Sequence, residues 1–165
     1  MSKTDLVMRP VKADDTLRLQ EIRQAAFAPV FASFRSILGD EIYELAQARE
    51  DEGQGALLCS MLESESDWEV YAAELAGTVV GFVSVQLDLD MRVGEIGLNA
   101  VHPDHAGRGI GATMYDFAVA RMKEAGMRVA TVSTGGDPSH APARRAYRKA
   151  GFEVEISSVW MCRAL

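Results

Sequence analysis

The stretch EIGLNAVHPDHAGRGIG, residues 95–111, decides the fold of the chain around it. An apolar segment leads through a turn marked by Pro103 into a glycine run, and residues 112–126 then have the apolar spacing of a helix. The first free N–H groups of a helix point into the turn before it, so this order of elements forms an anion site. The pattern predicts a phosphate group at Gly107, Gly109 and Gly111, where no Cβ holds it away from the backbone.

The glycine turn by itself leaves several classes of protein open. Turns of this kind also serve dinucleotide and nucleoside triphosphate sites, and some only connect two elements. A nucleotide-binding α/β protein of another kind is therefore an alternative at this point. A second motif is needed to choose between these classes.

A length of 165 residues suits one domain, and we expect residues 1–165 to form a single fold. The two cysteines, Cys59 and Cys162, can form no disulfide framework and have no Cys-x-x-Cys spacing, so we expect a reducing compartment and no zinc. The N-terminus has no apolar leader, and nowhere do eighteen apolar residues run together. We therefore expect a cytoplasmic protein with no membrane partner.

The net charge of −7 argues against general nucleic-acid binding. Residues 40–74 hold eleven Asp or Glu and one Arg, whereas residues 102–151 hold eight Lys or Arg and four Asp or Glu. Two solvated faces are one explanation of this split. The other is functional, because the basic half contains the glycine turn, as an anionic ligand favours, and the acidic half suits a cationic substrate.

Hydrophobic periodicity predicts strands and helices in the pattern of a mixed α/β sheet. Residues 6–10 form the first expected strand, and the amphipathic helix that follows is expected to stop near Pro29. Helical spacing then returns before residue 63, with an interruption expected at Gly53 and Gly55.

From residue 69 the spacing changes to that of strands, with Gly77 in a tight hairpin turn and a further strand leading to the glycine turn. The later elements are predicted as helix 112–126, strand 127–134, helix 140–150 and one or two final strands within residues 152–163. The whole pattern predicts a sheet of six or seven strands flanked by helices.

Two segments together resemble the GNAT superfamily of N-acetyltransferases, whose members transfer an acyl group from acyl-coenzyme A to an amine. AVHPDHAGRGIG, residues 100–111, is similar to the acyl-CoA loop Arg/Gln-x-x-Gly-x-Gly/Ala with a Val-x-Pro strand end before it. HAPARRAYRKAGF, residues 140–152, is similar to Asn-x-x-Ala-x-x-(Leu/Phe)-Tyr-x-x-x-Gly-Phe. The two occur in the family's order with a helix and a strand between them, and the likeness covers almost the whole chain except residues 30–65.

The sequence departs from these motifs at two positions. Ala106 stands where Arg or Gln is usual, and His140 stands where Asn is common. The first change removes one side-chain contact to the pyrophosphate but no backbone N–H donor. Arg108 nearby can supply the missing charge.

The resemblance implies acetyl-CoA as the acyl donor and cosubstrate, with no metal. It also implies a sheet splayed between its central strands, near Val101, to admit the pantetheine arm. The residues that it assigns to cofactor binding are Asn99, Ala100, Val101, Ala106, Gly107, Arg108, Gly109, Ile110, Gly111, Ala112, His140, Ala143 and Tyr147.

Two residues match catalytic positions of the family. Tyr147 matches its general acid: a phenol with a pKa near 10 stays protonated at neutral pH and can protonate a leaving thiolate, whose acid has a pKa of about 8.5. Glu95 matches the glutamate that deprotonates the substrate lysine in the histone-modifying branch. The alternatives are a packing role for Tyr147 and a solvent-facing Glu95.

The resemblance thus implies an acyl-CoA-dependent N-acyltransferase that passes acetyl directly to a primary amine, either a small cationic amine or a peptide or protein amine. A non-catalytic acyl-CoA-binding module of the same fold is the alternative, and only Ala106 and His140 favour it. Because small sheets with an open edge often associate, a homodimer is a further expectation.

Overall fold

The computed structural model describes residues 6–165. Its strands and α-helices follow in the order β1 (Leu6–Pro10), α1 (Thr16–Leu38), α2 (Asp40–Ala46), α3 (Ala48–Met61), β2 (Trp68–Leu75), β3 (Thr78–Asp88), β4 (Val93–Val101), α4 (Ile110–Glu124), β5 (Val129–Val132) and α5 (Ala141–Lys149). Among the described residues, no helix is long and apolar enough to span a bilayer. The α/β class predicted from the sequence is confirmed.

The strands form one mixed sheet in the order β1-β2-β3-β4-β5. Neighbours are antiparallel from β1 to β4, whereas β5 runs parallel to β4. The hairpin predicted between β2 and β3 is confirmed. Its two turn residues, Ala76 and Gly77, have φ of 49° and 81°, as a type I′ turn requires.

Strand β4 carries two irregularities that open the sheet. Val83 pairs with Asn99 and Val85 with Ile96, so Ser84 lies opposite two residues of β4, which is a β-bulge. On its other side β4 pairs with β5 only over Val93–Ile96. This is the whole length of β5, so within the described chain the rest of β4 has no strand beside it on that side. The sheet is thus open beside β4 after Ile96, at the last strand of the order rather than between central strands.

The sheet separates two apolar cores. On one face, α4 and α5 cover a cluster that includes Ile96, Met114 and Tyr147. On the other face, α1 and α3 cover a cluster that includes Leu19 and Phe82, both fully buried. Each core therefore fixes a different group of helices against the same central strands.

The N-terminal helices are longer than the sequence predicted. Helix α1 runs through Pro29 to Leu38, and α3 runs through Gly53 and Gly55 without a break. An internal proline removes one hydrogen bond and an internal glycine costs about 0.5–1 kcal/mol. Packing on the sheet outweighs these local penalties.

The prediction of final strands within residues 152–163 is wrong. Over the described residues the sheet has five strands, not six or seven, and the chain after α5 has no regular structure. All side chains from Glu153 to Leu165 are exposed. Alternating apolar residues indicate a preference for extended backbone, but a strand also needs a paired neighbour, which no local pattern specifies.

Gly97 is expected to be essential to the packing beside the bulge. A Cβ at this position would lie 2.3 Å from the Trp68 ring and 2.7 Å from Ser84 Oγ. We expect Gly97→Ala to lower the free energy of unfolding by about 1–3 kcal/mol, because the core there is already full. Gly53→Ala is the matched control, since its Cβ enters open space on a helix, and it is expected to stabilise the protein by about 0.5–1 kcal/mol. Chemical denaturation of both variants measures the difference, and equal effects would contradict this account of Gly97.

Candidate active site

The glycine turn presents the backbone of α4 to an open space. Gly107 and Gly109 have φ of 75° and 81°, a region that favours glycine. Gly109 is the N-cap residue and makes no side-chain cap, so the N–H groups of the first helical turn are directed out of the helix. Ile110 is buried and anchors this turn against the core. The result is a rigid group of donors at the positive end of a helix dipole.

The side chains of the turn are exposed. Ala106 ends a 3-10 turn, Pro103–His105, with extended backbone. Arg108 is exposed, and its Nη2 donates to the carbonyl oxygen of Asp104 at 3.1 Å. Gly111 and Ala112 lie in the first turn of α4, behind Gly109. The turn therefore meets a ligand mainly with backbone N–H groups.

Asn99, Ala100 and Val101 lie on the part of β4 beyond its pairing with β5. Asn99 Nδ2 donates to the hydroxyl oxygen of Tyr147 at 3.0 Å and to the carbonyl oxygen of Gly97 at 2.9 Å. The other end of the amide, Oδ1, accepts from the Tyr115 hydroxyl at 2.8 Å. The Asn99 amide is thus held by three bonds and fixes the Tyr147 hydroxyl at the opening of the sheet.

The Tyr147 hydroxyl keeps a proton that it can give away. Its oxygen accepts a hydrogen bond from Asn99, while its own contact to Asn99 Oδ1 is long, at 3.4 Å. Tyr147 is 6% exposed, and burial raises the pKa of its hydroxyl more than the hydrogen bond from Asn99 lowers it. The group therefore stays protonated throughout the neutral pH range.

Glu95 lies on the opposite face of β4 from the Asn99 side chain. It pairs with Gln86 on β3 and Thr131 on β5. Its neighbour Ile96 packs on the α4 side, so Glu95 points to the α1–α3 side, because adjacent residues of a strand alternate. Glu95 and Asn99 are four positions apart, about 13 Å along a strand, so a proton passing between Glu95 and the Asn99 end of the site requires water.

His140 and Ala143 belong to the start of α5. His140 Nδ1 is hydrogen-bonded to Asp137, and its ring stacks on Phe34 of α1 with centroids 5.8 Å apart. The hydrogen bonds from Ser139 and His140 keep the pKa of Asp137 low despite the burial that raises it. Ala143 packs against the core that contains Tyr147. His140 therefore joins α1 to the loop before α5.

The predicted residues thus fall into three groups. Tyr147 meets the end of β4 through Asn99, and the glycine turn follows β4 at the start of α4. Glu95 lies on the other face of the same strand, and His140 is held by Asp137 and α1. Within residues 6–165, no three His, Cys, Asp or Glu side chains are grouped as a metal site.

A model of the Acetyltransferase (GNAT) family matches residues 32–152. The chain belongs to this family. A search of curated proteins by sequence finds no match. The GNAT motifs proposed from the sequence, and the glycine turn at the N-terminus of α4, lie inside the matched region.

Solved structures of other GNAT proteins share this fold. The PaiA N-acetyltransferase of Thermoplasma acidophilum, in complex with coenzyme A, superposes with a TM-score of 0.72 at 21% identity over 96% of this chain and 94% of that one. A GNAT acetyltransferase of Brucella melitensis in complex with acetyl-CoA has a TM-score of 0.58 at 21% identity, over 90% of this chain and 83% of that one. An aminoglycoside acetyltransferase from an uncultured soil metagenomic sample, in complex with sisomicin, has a TM-score of 0.58 at 16% identity, over 98% of this chain and 97% of that one. At these identities the likeness shows the fold.

Tyr115 is the site residue that the sequence reasoning missed in this GNAT protein. It is 5% exposed, and its ring lies 4.5 Å from that of Tyr147 between centroids. Burial raises the pKa of its hydroxyl far above the ordinary value. The available signal was its place next to Met114 on the apolar face of α4, which identifies a buried tyrosine that needs a hydrogen-bond partner.

Removing the Tyr115 hydroxyl is expected to loosen the site without disabling it. Tyr115→Phe leaves Asn99 Oδ1 with only the 3.4 Å contact to Tyr147. We expect a loss of about 0.5–1.5 kcal/mol in the free energy of unfolding and a fall in kcat of less than about tenfold, since the acid itself remains. Thermal denaturation and steady-state kinetics check both values. A variant with unchanged stability would show that this bond does not hold Asn99.

Proposed function

We propose that this GNAT protein is an N-acetyltransferase that moves the acetyl group of acetyl-CoA directly to a primary amine. The observation that carries the proposal is the buried Tyr147 hydroxyl, which accepts from Asn99 on the part of β4 beyond its pairing with β5 and donates only across a long contact of 3.4 Å. The complexes of related folds with coenzyme A and acetyl-CoA support the choice of donor.

The residues of the turn fit the diphosphate of coenzyme A. The N–H groups of Gly109, Ile110 and Gly111 surround the start of α4, and each charge–dipole contact there contributes roughly 0.3–1 kcal/mol. Ala106 adds no side-chain contact, so binding depends on the backbone and on the charge of Arg108. The exposed end of β4, with Asn99, Ala100 and Val101, is assigned to the pantetheine arm, and Ala112, Ala143 and His140 to the walls beside it.

In the transfer a cationic amine must lose two protons, and the departing sulfur must gain one. The amine nitrogen forms a bond to the thioester carbonyl carbon, and the carbon–sulfur bond then breaks. Tyr147 gives its proton to the departing sulfur. Glu95, on the α1–α3 side of β4, takes one proton of the cationic amine through water before the attack and releases it to solvent. The nitrogen loses its second proton through water as the carbon–sulfur bond breaks, and this proton restores the Tyr147 hydroxyl. The amine attacks the thioester itself, so no acyl-enzyme forms.

The acceptor in this proposal is a cationic amine. Most acidic residues of the stretch 40–74 are exposed, and they lie on α2, α3 and the loop after them, on the same side of the sheet as Glu95. Several make no ion pair within the described chain, among them Glu50 and Glu52. A cation approaching this face is attracted at long range. The complex of a related fold with sisomicin supports an amine acceptor of this class.

Release of coenzyme A in the presence of amines tests the proposal. We expect turnover with polyamines, aminoglycosides or peptide amines, and weaker turnover with neutral or acidic amines. Added salt is expected to raise KM for the cationic acceptors, because exposed charges are screened beyond about 10 Å at 0.1 M. Acetyl-CoA binding without turnover on any amine would favour the non-catalytic module instead, and tighter binding of ATP or NAD than of acetyl-CoA would exclude both.

Glu95→Gln tests the base separately. We expect kcat/KM to fall about 10–100-fold at neutral pH, because the carboxylate no longer takes the amine proton, with the loss shrinking at high pH where the free amine is already neutral. Glu153→Gln, an exposed change on the chain after α5, is the control and is expected to leave kcat/KM unchanged. A Glu95→Gln enzyme with the wild-type rate at every pH would show that water, and not Glu95, takes the proton of the amine.

A further inference from the structure

Asp137 is a largely buried carboxyl group that no step of the proposed transfer uses. It lies in the loop between β5 and α5, and its side chain is 14% exposed. Although burial raises its pKa, hydrogen bonds from Ser139 and His140 hold that pKa below the ordinary value. The group is therefore a carboxylate at neutral pH, and a carboxylate withdrawn from water needs several donors to satisfy it.

Donors from the start of α5 converge on this carboxylate. Its Oδ2 accepts from the backbone N–H of Ser139 at 3.0 Å and from the hydroxyl of the same residue, and its Oδ1 is hydrogen-bonded to His140 Nδ1. These bonds close the 3-10 turn Pro138–His140, which leads directly into α5. Within α5, Arg144 Nη1 donates to the backbone carbonyl oxygen of Asp137 at 2.9 Å. The first turn of α5 is thus fixed to Asp137 through both its side chain and its backbone.

Asp137 is also attached to α1, which lies on the other face of the sheet from α5. Ser33 Oγ donates to Asp137 Oδ2 across a long contact of 3.5 Å, and Phe34 stacks on the His140 ring. These contacts leave little free space, because a Cβ on Gly135 would lie 2.6 Å from Asp137 Oδ1 and 2.5 Å from His140 Nδ1. A tightly packed junction therefore joins the two helix layers, and we call it the Asp137 junction.

The Asp137 junction lies at one end of the helix that carries the acid. Tyr147 follows His140, the N-cap residue of α5, by seven positions, or about 10 Å along the helix. The other residues of α5 that face the core include Ala143 and Ala146. Their short side chains supply few atoms that resist a shift of the helix. The junction at its start is therefore a main constraint on where α5 places Tyr147.

We propose that Asp137 is a positioning residue for the Tyr147 hydroxyl, because it locks the start of α5 to α1. The inference rests on the proposed acetyl transfer. In that reaction an amine that enters on the α1 side and the acid carried by α5 must meet at one thioester, so the two helices need a fixed separation. A displacement of about 1 Å can lower the rate of such a reaction by about 100-fold.

Steady-state kinetics of Asp137→Ala at saturating amine and acetyl-CoA test the proposal. We expect kcat to fall at least about tenfold. In the Tyr147→Phe background the same substitution is expected to change kcat by less than about twofold, because a residue that acts through the Tyr147 hydroxyl then has nothing left to position. A further tenfold fall in that background would overturn the inference.

Two more variants separate positioning from a general loss of stability. Asp15→Ala is the matched control, because Asp15 is also a largely buried carboxylate, 12% exposed, that accepts from a backbone N–H, that of Lys12, at a 3-10 turn. We expect it to lower stability and keep kcat within about twofold, and a loss of kcat equal to that of Asp137→Ala would overturn the inference. In Asp137→Asn the amide can accept from Ser139 and donate to His140 Nδ1, so kcat is expected within about threefold of wild type.

A fluorine label tests the position of Tyr147 without any turnover. With 3-fluorotyrosine in place of Tyr147, the fluorine-19 NMR signal reports the surroundings of the ring. We expect Asp137→Ala to shift or broaden this signal and Asp15→Ala to leave it in place, with far-ultraviolet circular dichroism as the check on folding. A wild-type protein that acetylates no amine would overturn the proposed function, whereas a Tyr147 signal that Asp137→Ala leaves unchanged would overturn the role of Asp137.

Discussion

Replacing Tyr147 with Phe is expected to lower kcat by about 10²–10⁴-fold, the usual contribution of a positioned general acid. The change removes the hydroxyl that accepts a hydrogen bond from Asn99 Nδ2. It keeps the ring, which packs against Tyr115 and Phe152, so we expect KM for acetyl-CoA to change by less than about threefold, as uniform binding is retained. Steady-state kinetics at saturating amine measure both.

Tyr115→Phe is the matched control for this result, because it removes a hydroxyl from the same hydrogen-bonded group without removing the acid. A Tyr147→Phe variant that retained kcat within about twofold would make Tyr147 a packing residue. The pH dependence gives a second check. Burial raises the pKa of the Tyr147 hydroxyl, and an acid must be protonated to act, so wild-type kcat is expected to hold through neutral pH and to fall only above the ordinary tyrosine range.

Filling the glycine turn is expected to have the second large effect. In the double variant Gly107→Ala/Gly109→Ala, both new side chains meet positive φ, and both project where the diphosphate is proposed to approach the backbone. We expect the Kd for acetyl-CoA to rise about 100-fold, or about 2.7 kcal/mol. Isothermal titration with acetyl-CoA measures the change directly.

The chain offers a closely matched control for the cost in stability. Gly126 and Gly151 have φ of 81° and 91°, follow the C-terminal ends of α4 and α5, and have nothing within 4 Å of a new Cβ. The double variant Gly126→Ala/Gly151→Ala therefore carries a similar backbone strain, about 1–2 kcal/mol for each residue. We expect it to lose stability and keep acetyl-CoA affinity. If both double variants lost affinity equally, the turn would have no special role.

The features that the sequence predicted well are those fixed by neighbouring residues. The Gly77 hairpin needs two residues with positive φ, and the turn at Gly107 and Gly109 needs a glycine run followed by an amphipathic helix. Both requirements are met by residues that are neighbours in the chain, so the sequence alone specifies these two turns. The same holds for α5, where Tyr147 falls on the buried side.

The features that it predicted wrongly depend on distant contacts. Pro29 stops a helix by local rules, but α1 is anchored on the sheet through Leu19 and Ile22 and continues past it. The alternating apolar residues of the chain after α5 indicate a strand, yet a strand forms only against an edge. A local sequence pattern specifies a preference for helix or strand. Packing against the sheet, or pairing with a neighbouring strand, decides whether that helix or strand forms.

The arrangement around Asn99 could not be predicted for a different reason. The bulge opposite Ser84 adds a residue to one side of β4, and a shift of one residue moves a side chain to the other face. The sequence therefore could not say that Glu95 and Asn99 point to opposite sides, nor that Tyr115 and Tyr147 meet at one amide. These contacts join residues up to 48 positions apart.

Transfer of an isotopically labelled acetyl group tests the central claim most directly. The purified protein is incubated with acetyl-CoA labelled with carbon-13 in the acetyl group and with the best cationic amine, and the amine, coenzyme A and intact protein are followed by mass spectrometry. The account predicts labelled N-acetylated amine and free coenzyme A in equal amounts, with the protein mass unchanged throughout. Labelled acetyl on the protein during turnover, or bound acetyl-CoA with no labelled amine, would contradict it.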